Sequence, residues 1–553
     1  MAHHDKADAA QSSAAATPAP IHASGVLDHE SAALTKASPY AWYALSILFL
    51  IYVLNFIDRQ IITILAPDLK RDLGLTDADI GFLYGTAFAV FYALFGIPLG
   101  RLADNWHRVR LLTIGLTLWS AMTALSGFAR SGMHLGLARM GVGIGEATAS
   151  PSAYSLISDM FPKHMRGTAL SIYSAGLYFG GGISLMIGGF IVEGWNRSYP
   201  AGGPLGLVGW QAAFLAVGIP GLLLALLVAT LREPVRGLID GMPSPPSPTP
   251  FKGFLEELFA IIPPFTFLAA ARRGPRAALI NLAFAAFAAA IAYLLIIITA
   301  SPLQWICVAF GYYAVFSWAT SLRARDMPTF KLIWGSRAFI AVVLSYAAVA
   351  FINYAFAAFA AVYAQEILGQ SASTVGLWIG GASAVSGFLG VILGGRMSDI
   401  LMRRNAAGRI IVIAFGLIAP LPLAILAFTL TPADGGNILL KFTLYSSLAG
   451  LLSSSALGAA AATTQELVLP RMRGTATATF FIGTTLIGLA LGPYAAGHIS
   501  ATTGSLSTGV LSTLAAVPIG LIALAIAYRT VPSAISGLMA RAQAAGEPIE
   551  GLG

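Results

Sequence analysis

"GRLADNWHRVR", residues 100–110, and "GRMSDILMRR", residues 395–404, are the stretches on which the fold turns. Each follows a long apolar run and opens on Gly-Arg. Each places an aspartate four residues after its glycine (Asp104 and Asp399) and ends in arginines. A second pair recurs in the same order: "PKHMRGTALSIYSAG" (162–176) and "PRMRGTATATFFIG" (470–483). Two independent repeats in one order predict a duplicated bundle. In transporters built this way the substrate site lies near the membrane midplane, between the repeats.

The rest of the chain agrees. Of its 553 residues, 57% are hydrophobic and 10% charged, against about 25% charged in soluble domains. Apolar runs fall near 40–66, 78–102, 109–129, 133–161, 166–192 and 208–231, then 336–367, 372–400, 408–430, 437–469, 474–500 and 506–529. Each is long enough to cross ~30 Å of hydrocarbon at 1.5 Å per residue. Between the two sets, 277–298 and 302–321 read as an extra hairpin, giving about fourteen transmembrane helices in an all-α membrane protein. "FKGFLEELFAIIPPF" (251–265) reads as an amphipathic segment broken at Pro263 and Pro264 and lying in the interface.

The expected division is a disordered cytoplasmic tail (1–39), a six-helix bundle (40–232), a connector with the hairpin (233–335), a second six-helix bundle (336–530) and a cytoplasmic tail (531–553). The net charge of +8 sits in short loops between spans, as the positive-inside rule distributes it, so nucleic acid is not an expected partner. With the N-terminus inside, the expected outer loops carry few cations, Lys70 and Arg71 among them. The inner loops carry Arg108, Arg110, Arg403, Arg404, Arg409, Arg471 and Arg473. Both termini are then cytoplasmic. The single cysteine, Cys307, excludes a disulfide framework. There is no Walker A loop, HExxH pair or nucleophile elbow, so no enzyme, ATP-driven pump, cofactor or metal is expected. The glycines of "GVGIGEA" (141–147) lie in an apolar helix with no strand before them and read as close helix packing.

Four charges interrupt the spans of the first bundle: Asp58 and Arg59 in "NFIDRQ", Arg139 and Glu146 in "RMGVGIGE". Intramembrane charges are rare, face the bundle interior and usually pair. Arg139 and Glu146 are seven residues apart, on one helix face. Counting from the outer ends of their spans places Asp58 and Arg139 at similar depth, with Glu146 deeper. Burial disfavours the charged form of an acid and a guanidinium favours it, so this network reads as a proton relay with Glu146 and Asp58 as carriers. Its alternative reading is a static cluster that fixes packing. Tyr52, Asn55, Tyr173, Tyr178, Asn353, Tyr354, Thr464 and Gln465 are further candidates to line the path.

The chain resembles the major facilitator superfamily. "GRLADNWHRVR" is similar to that superfamily's signature loop between spans two and three, and "RMGVGIG" (139–145) to its fourth-span motif. The resemblance implies a gating role for Gly100, Asp104, Arg108, Gly395 and Asp399. Asp104 would cap the helix start at Gly474 and Asp399 the start at Gly167, as latches that shut the cytoplasmic side. "NFIDRQ" with "RMGVGIGEA" narrows the resemblance to the spinster-type branch, linked to proton-coupled movement of lysophospholipids and sphingosine-type lipids. The resemblance thus implies a monomeric secondary transporter of the bacterial inner membrane. Its partners would be protons and an amphipathic lipid-like substrate. The alternatives are a symporter of organic or sugar acids, with Arg59 and Arg139 holding the carboxylate, and a non-transporting receptor or scaffold.

Overall fold

The computed structural model describes residues 37–200, 202–240 and 248–547, so the expected N-terminal tail lies almost wholly outside the described residues. The first bundle comprises α1 (Pro39–Leu73), α2 (Asp77–Asn105), α3 (Arg108–Ser126), α4 (Gly132–Glu146), α5 (Ala149–Met160), α6 (Lys163–Ser198) and α7 (Gly209–Val228). The connector holds α8 (Pro250–Ile261), α9 (Phe265–Arg272), α10 (Pro275–Thr299), α11 (Pro302–Arg325) and α12 (Met327–Ile333). The second bundle follows as α13 (Arg337–Glu366), α14 (Ala372–Met402), α15 (Gly408–Phe428), α16 (Ile438–Glu466), α17 (Pro470–Thr503) and α18 (Leu506–Ser536), with a short α19 (Leu538–Ala545) behind it.

Among the described residues, thirteen helices are long and apolar enough to cross a bilayer. The bent pair α8 and α9 is a fourteenth candidate by the same measure, while α4 and α5 run on from one another, since Ala147 and Thr148 between them keep right-handed helical dihedrals. The Thr148 hydroxyl donates to the Gly145 carbonyl at 2.8 Å, the kind of side-chain bond that competes with the helix ladder. Pseudo-symmetry shows in which helices touch. α1 packs on α6 as α13 packs on α17; α2 on α4 as α14 on α16; α3 on α4 as α15 on α16; α1 on α7 as α13 on α18.

The glycines of the fourth span are packing residues. A Cβ on Gly143 would stand 2.6 Å from the Phe88 carbonyl, and one on Gly145 2.8 Å from the Gly115 carbonyl. The signature-loop glycines behave differently. Helix α2 runs on past Gly100 to Asn105, and α14 past Gly395 to Met402. A Cβ at Gly395 would meet nothing, while at Gly394 it would collide with the Ser455 backbone. Gly100 and Gly395 thus end no helix: the spans extend beyond the apolar run.

In the connector, α8 and α9 are bent by 98° at Pro263 and Pro264, and α8 lies against α2 and α11. The outer helix of the hairpin, α10, is almost wholly exposed along its apolar length. The inner one, α11, sits across the seam between the bundles. Phe310 stacks on Phe91 of α2, Trp305 meets Tyr494 of α17 edge-on, and Gln304 Nε2 donates to the Ala490 carbonyl at 3.5 Å.

The two bundles are locked at one end. Lys70 bridges Asp77 at 2.7 Å and Glu366, across the seam, at 2.8 Å. The Ser500 hydroxyl donates to Asp77 at 2.6 Å, the Ser373 amide to Glu193 at 3.1 Å, and Gln365 Nε2 to the Ile64 carbonyl at 3.2 Å. Lys70 was expected to be an isolated outer-loop charge; it is instead the centre of this lock. Lys70 and Arg71, expected in an outer loop, lie at this end. Glycines bring the backbones together there: a Cβ on Gly182 would collide with the Gly380 carbonyl and stand 2.6 Å from the Ala384 Cβ. Overpacking such a contact costs about 1–3 kcal/mol. Gly182→Val is therefore expected to shift molecules out of the state closed at this end. In a Cys307→Ser background, a cysteine at Ser373 should react with an impermeant maleimide about tenfold faster, the equivalent of roughly 1.4 kcal/mol. An unchanged rate would mean that the seam absorbs the added methyls.

Candidate functional site

The four intramembrane charges meet, although not as a simple acid–base square. Arg59 Nε donates to Glu146 Oε2 at 2.7 Å, with Glu146 fully buried. The Arg59 guanidinium lies over the rings of Phe56, Phe88 and Tyr92 at 4.7, 4.5 and 4.5 Å. Three aromatic faces around a largely dry cation supplement its ion pair.

Arg139 makes no hydrogen bond to either carboxylate. Its Nη1 donates to the backbone carbonyl of Asp58 at 2.9 Å and its Nε to that of Leu83 at 3.3 Å. Leu83 lies in Phe82–Thr86, where α2 widens into a π turn. Such turns disturb the helix ladder and recur at functional sites. The bond from Arg139 to Asp58 does place the two residues at one depth, as helix counting indicated.

Asp58 is the unusual member. It is fully buried, no cation bonds either carboxylate oxygen, and the nearest polar side chain is the Thr123 hydroxyl. Glu146 Oε1, Arg139 Nη2 and both amide atoms of Asn55 are unpartnered. A buried polar group without a partner costs roughly 1–3 kcal/mol, and more if charged. This cluster is thus held short of full satisfaction at its acids.

Beside it lies a cavity of about 340 Å³ between the bundles. Phe56 and Gln60 of α1 and Tyr178 of α6 contribute from one side; Asn353, Tyr354 and Phe356 of α13 face them. No charged residue lines it, and its surface is mainly apolar. Phe56 both lines the cavity and covers Arg59, which links the two.

Three of the eight sequence candidates, Tyr178, Asn353 and Tyr354, line this cavity. Tyr52 stacks on fully buried Tyr173 with centroids 4.3 Å apart, and these two rings with Asn55 form packing beside the charges. Thr464 is corrected from path-lining to structural: it is buried and donates to the Ala461 carbonyl of its own helix at 2.7 Å. Gln465 ties α16 to α17 through Thr477 at 2.5 Å, outside the cavity. Sequence reading missed the cavity serines, including Ser446, Ser453 and Ser454. The signal was present in "YSSLAGLLSSSALG" (445–458), a serine-rich run inside a span.

The signature loop is built around Arg108. Its side chain is fully buried and bridges Asp159 and, at 2.7 Å, Glu233; it also donates to Ser155 at 2.8 Å and to the Pro234 carbonyl at 2.9 Å. Arg110, two residues on, is exposed. The reading of Arg108 as plain topology charge is therefore corrected. Asp104 is near Arg236, Arg101 and Arg108, and Arg236 binds the Ala103 carbonyl at 2.6 Å and the Trp106 carbonyl at 2.5 Å. Neither Asp104 nor Asp399 makes a side-chain hydrogen bond among the described residues, and the surroundings of Gly167 lie outside them. The expected latch from Asp104 to the helix start at Gly474 is not made among the described residues.

Comparison with known proteins bears on the whole architecture. The family model described as Major Facilitator Superfamily matches residues 48–303. An MFS-type efflux pump of Mycolicibacterium smegmatis is 26% identical over 82% of this chain and 83% of its own length. Protein spinster of Drosophila melanogaster is 26% identical over 38% of this chain and 32% of its own, and a probable L-galactonate transporter of Escherichia coli 30% identical over 32% and 38%. Two crystal structures of a bacterial homolog to the human lysosomal transporter Spinster, both inward-facing, superpose with TM-scores of 0.60 and 0.61. Their identities are 25% and 27%, and each alignment covers 92% of this chain and 97% of the other. With duplicated bundles, paired signature loops and a charged first–fourth helix core in place, the chain is similar in sequence and fold to membrane transporters of the major facilitator superfamily, spinster-type transporters among them.

Proposed function

We propose that the protein is a proton-coupled carrier of amphipathic, lipid-like molecules, working by alternating access. The observation that carries this is the unequal treatment of two buried acids beside an uncharged, mainly apolar cavity. Glu146 is ion-paired to Arg59; Asp58, next to Arg59 in the chain, has no ion-pair partner and only the Thr123 hydroxyl beside it. A dry carboxylate without an ion-pair partner is costly as an anion and acceptable as an acid. Asp58 holds the proton in the externally closed state. When the bundles rock, α1 shifts relative to α4, Arg59 comes within reach of Asp58, and Asp58 releases its proton while Glu146 stays an anion, so the two states differ by one bound proton. This is a two-state element biased by protonation, as coupling requires.

The orientation accords with the same reading: both termini cytoplasmic, in a bacterial inner membrane, with the locked end outside. A carrier of sugar acids is the second reading, favoured by the galactonate and glucarate transporters among the relatives. It asks a cation to meet the substrate carboxylate. In this state Arg59 is taken by Glu146, Arg139 is taken by backbone carbonyls, and neither lines the cavity. Purified protein in liposomes under an imposed pH gradient separates the two. Labelled lysophosphatidylethanolamine should accumulate or be expelled with the gradient, and L-galactonate should not. Gradient-driven movement of galactonate alone would reverse the assignment.

A further inference from the structure

A second concave pocket, about 410 Å³, lies at the base of the second bundle, away from the central cavity. It is formed by the end of α12, the start of α13, the end of α18 and α19. Three cations line it, Lys331, Arg337 and Arg541, together with the hydroxyls of Ser336, Thr530 and Ser533; among the described residues no aspartate or glutamate does.

The cations are not arranged as topology charges need to be. Positive-inside placement asks only that they lie on one side of the membrane. Other arginines at this end have acid partners: Arg325 pairs with Glu257 at 2.8 Å, Arg471 with Asp326 at 2.8 Å and with Glu547, and Arg409 with Glu466. Lys331, Arg337 and Arg541 have no carboxylate partner among the described residues, although they converge on one concavity where like charges repel. Arg541 is held in place. Its Nη1 donates to the Ala534 carbonyl and its Nη2 to Ser336 Oγ, each at 2.9 Å. Burial pulls its guanidinium below its ordinary value, with no acid to offset this. Ser336 also caps α13, accepting the Phe339 amide at 3.3 Å, so the positive end of a 30-residue helix faces the same space.

We propose that this pocket binds a phosphate-type anion, held by Lys331, Arg337 and Arg541 with the hydroxyls as donors, and so fastens α19 to the start of α13. An anionic phospholipid headgroup and a free phosphate offer the same chemistry. A basic pocket at this level of the membrane suits the headgroup.

Thermal unfolding of the full-length protein in detergent tests it, with phosphatidylglycerol, phosphatidylcholine and inorganic phosphate as separate additives. Phosphatidylglycerol should raise the midpoint saturably and phosphatidylcholine should not. Lys331→Gln and Arg337→Gln, both at exposed positions, should each weaken the response about fivefold, as removal of one surface cation near an anionic headgroup does. The double variant should lose it. If inorganic phosphate raises the midpoint and the same variants abolish that effect, the anion site stands and its occupant comes from solution. If neither additive acts, or the double variant responds like the parent, the pocket is not an anion site. Those two variants leave the bonds of Arg541 intact, so a folding failure at α19 does not confuse the outcome.

Discussion

Glu146→Gln is expected to abolish pH-driven transport while leaving substrate binding within a few-fold of the parent. The substitution keeps the size of the side chain and removes the anion that pairs with Arg59. Breaking a buried pair by removing one partner costs ~3–5 kcal/mol, because the other charge stays behind. Here the cost falls on one conformational state. The Phe56, Phe88 and Tyr92 faces soften it without cancelling it. A bias of ~3 kcal/mol is about two orders of magnitude in the population of that state, and gradient-driven accumulation should fall accordingly. Accumulation with unchanged pH dependence would make Glu146 a packing residue and leave Asp58 as the acid to consider.

The largest effect on stability is expected from Arg108→Ala. It leaves Asp159 and Glu233 facing each other with no cation between them, and removes two further bonds, to Ser155 and to Pro234. The cost should be ~3–5 kcal/mol, read as a lowered unfolding midpoint in detergent. Arg110→Ala is the control, because its side chain is exposed and surface charges contribute about 0–1 kcal/mol. Equal midpoints for the two variants would contradict the hub.

These two residues also show what the sequence discloses. Period, span length and the doubled signature loop carry the architecture, because apolar length and repeat order are local properties of the chain. The charged core is legible for the same reason: a charge inside an apolar run stands out, and helical rise fixes its depth. What pairs with it is less legible. Depth puts Asp58 level with Arg139 but does not single out Arg59 for Glu146, and Arg139 binds backbone carbonyls, one of them in a π turn of α2, which no side-chain pattern announces. Arg108 is ambiguous because its partners lie 51 and 125 residues away. The lock between the bundles has the same cause: Lys70 finds Glu366 296 residues along the chain. Thr464 and Gln465 point to a general weakness. A polar residue in a span bonds its own helix as readily as it faces a path, and periodicity does not separate the two.

The central claim is that substrate movement and proton movement are one event, carried by Asp58 with Arg59 and Glu146. The most direct measurement is substrate-dependent proton flux into liposomes with a trapped pH dye, for the parent and for Asp58→Asn, alongside exchange of labelled lysophosphatidylethanolamine against unlabelled. The parent should move protons only when substrate moves. Asp58→Asn should still exchange substrate, since a neutral side chain reproduces the protonated form, and should move no protons. Proton flux linked to substrate at the parental rate in Asp58→Asn would contradict the account.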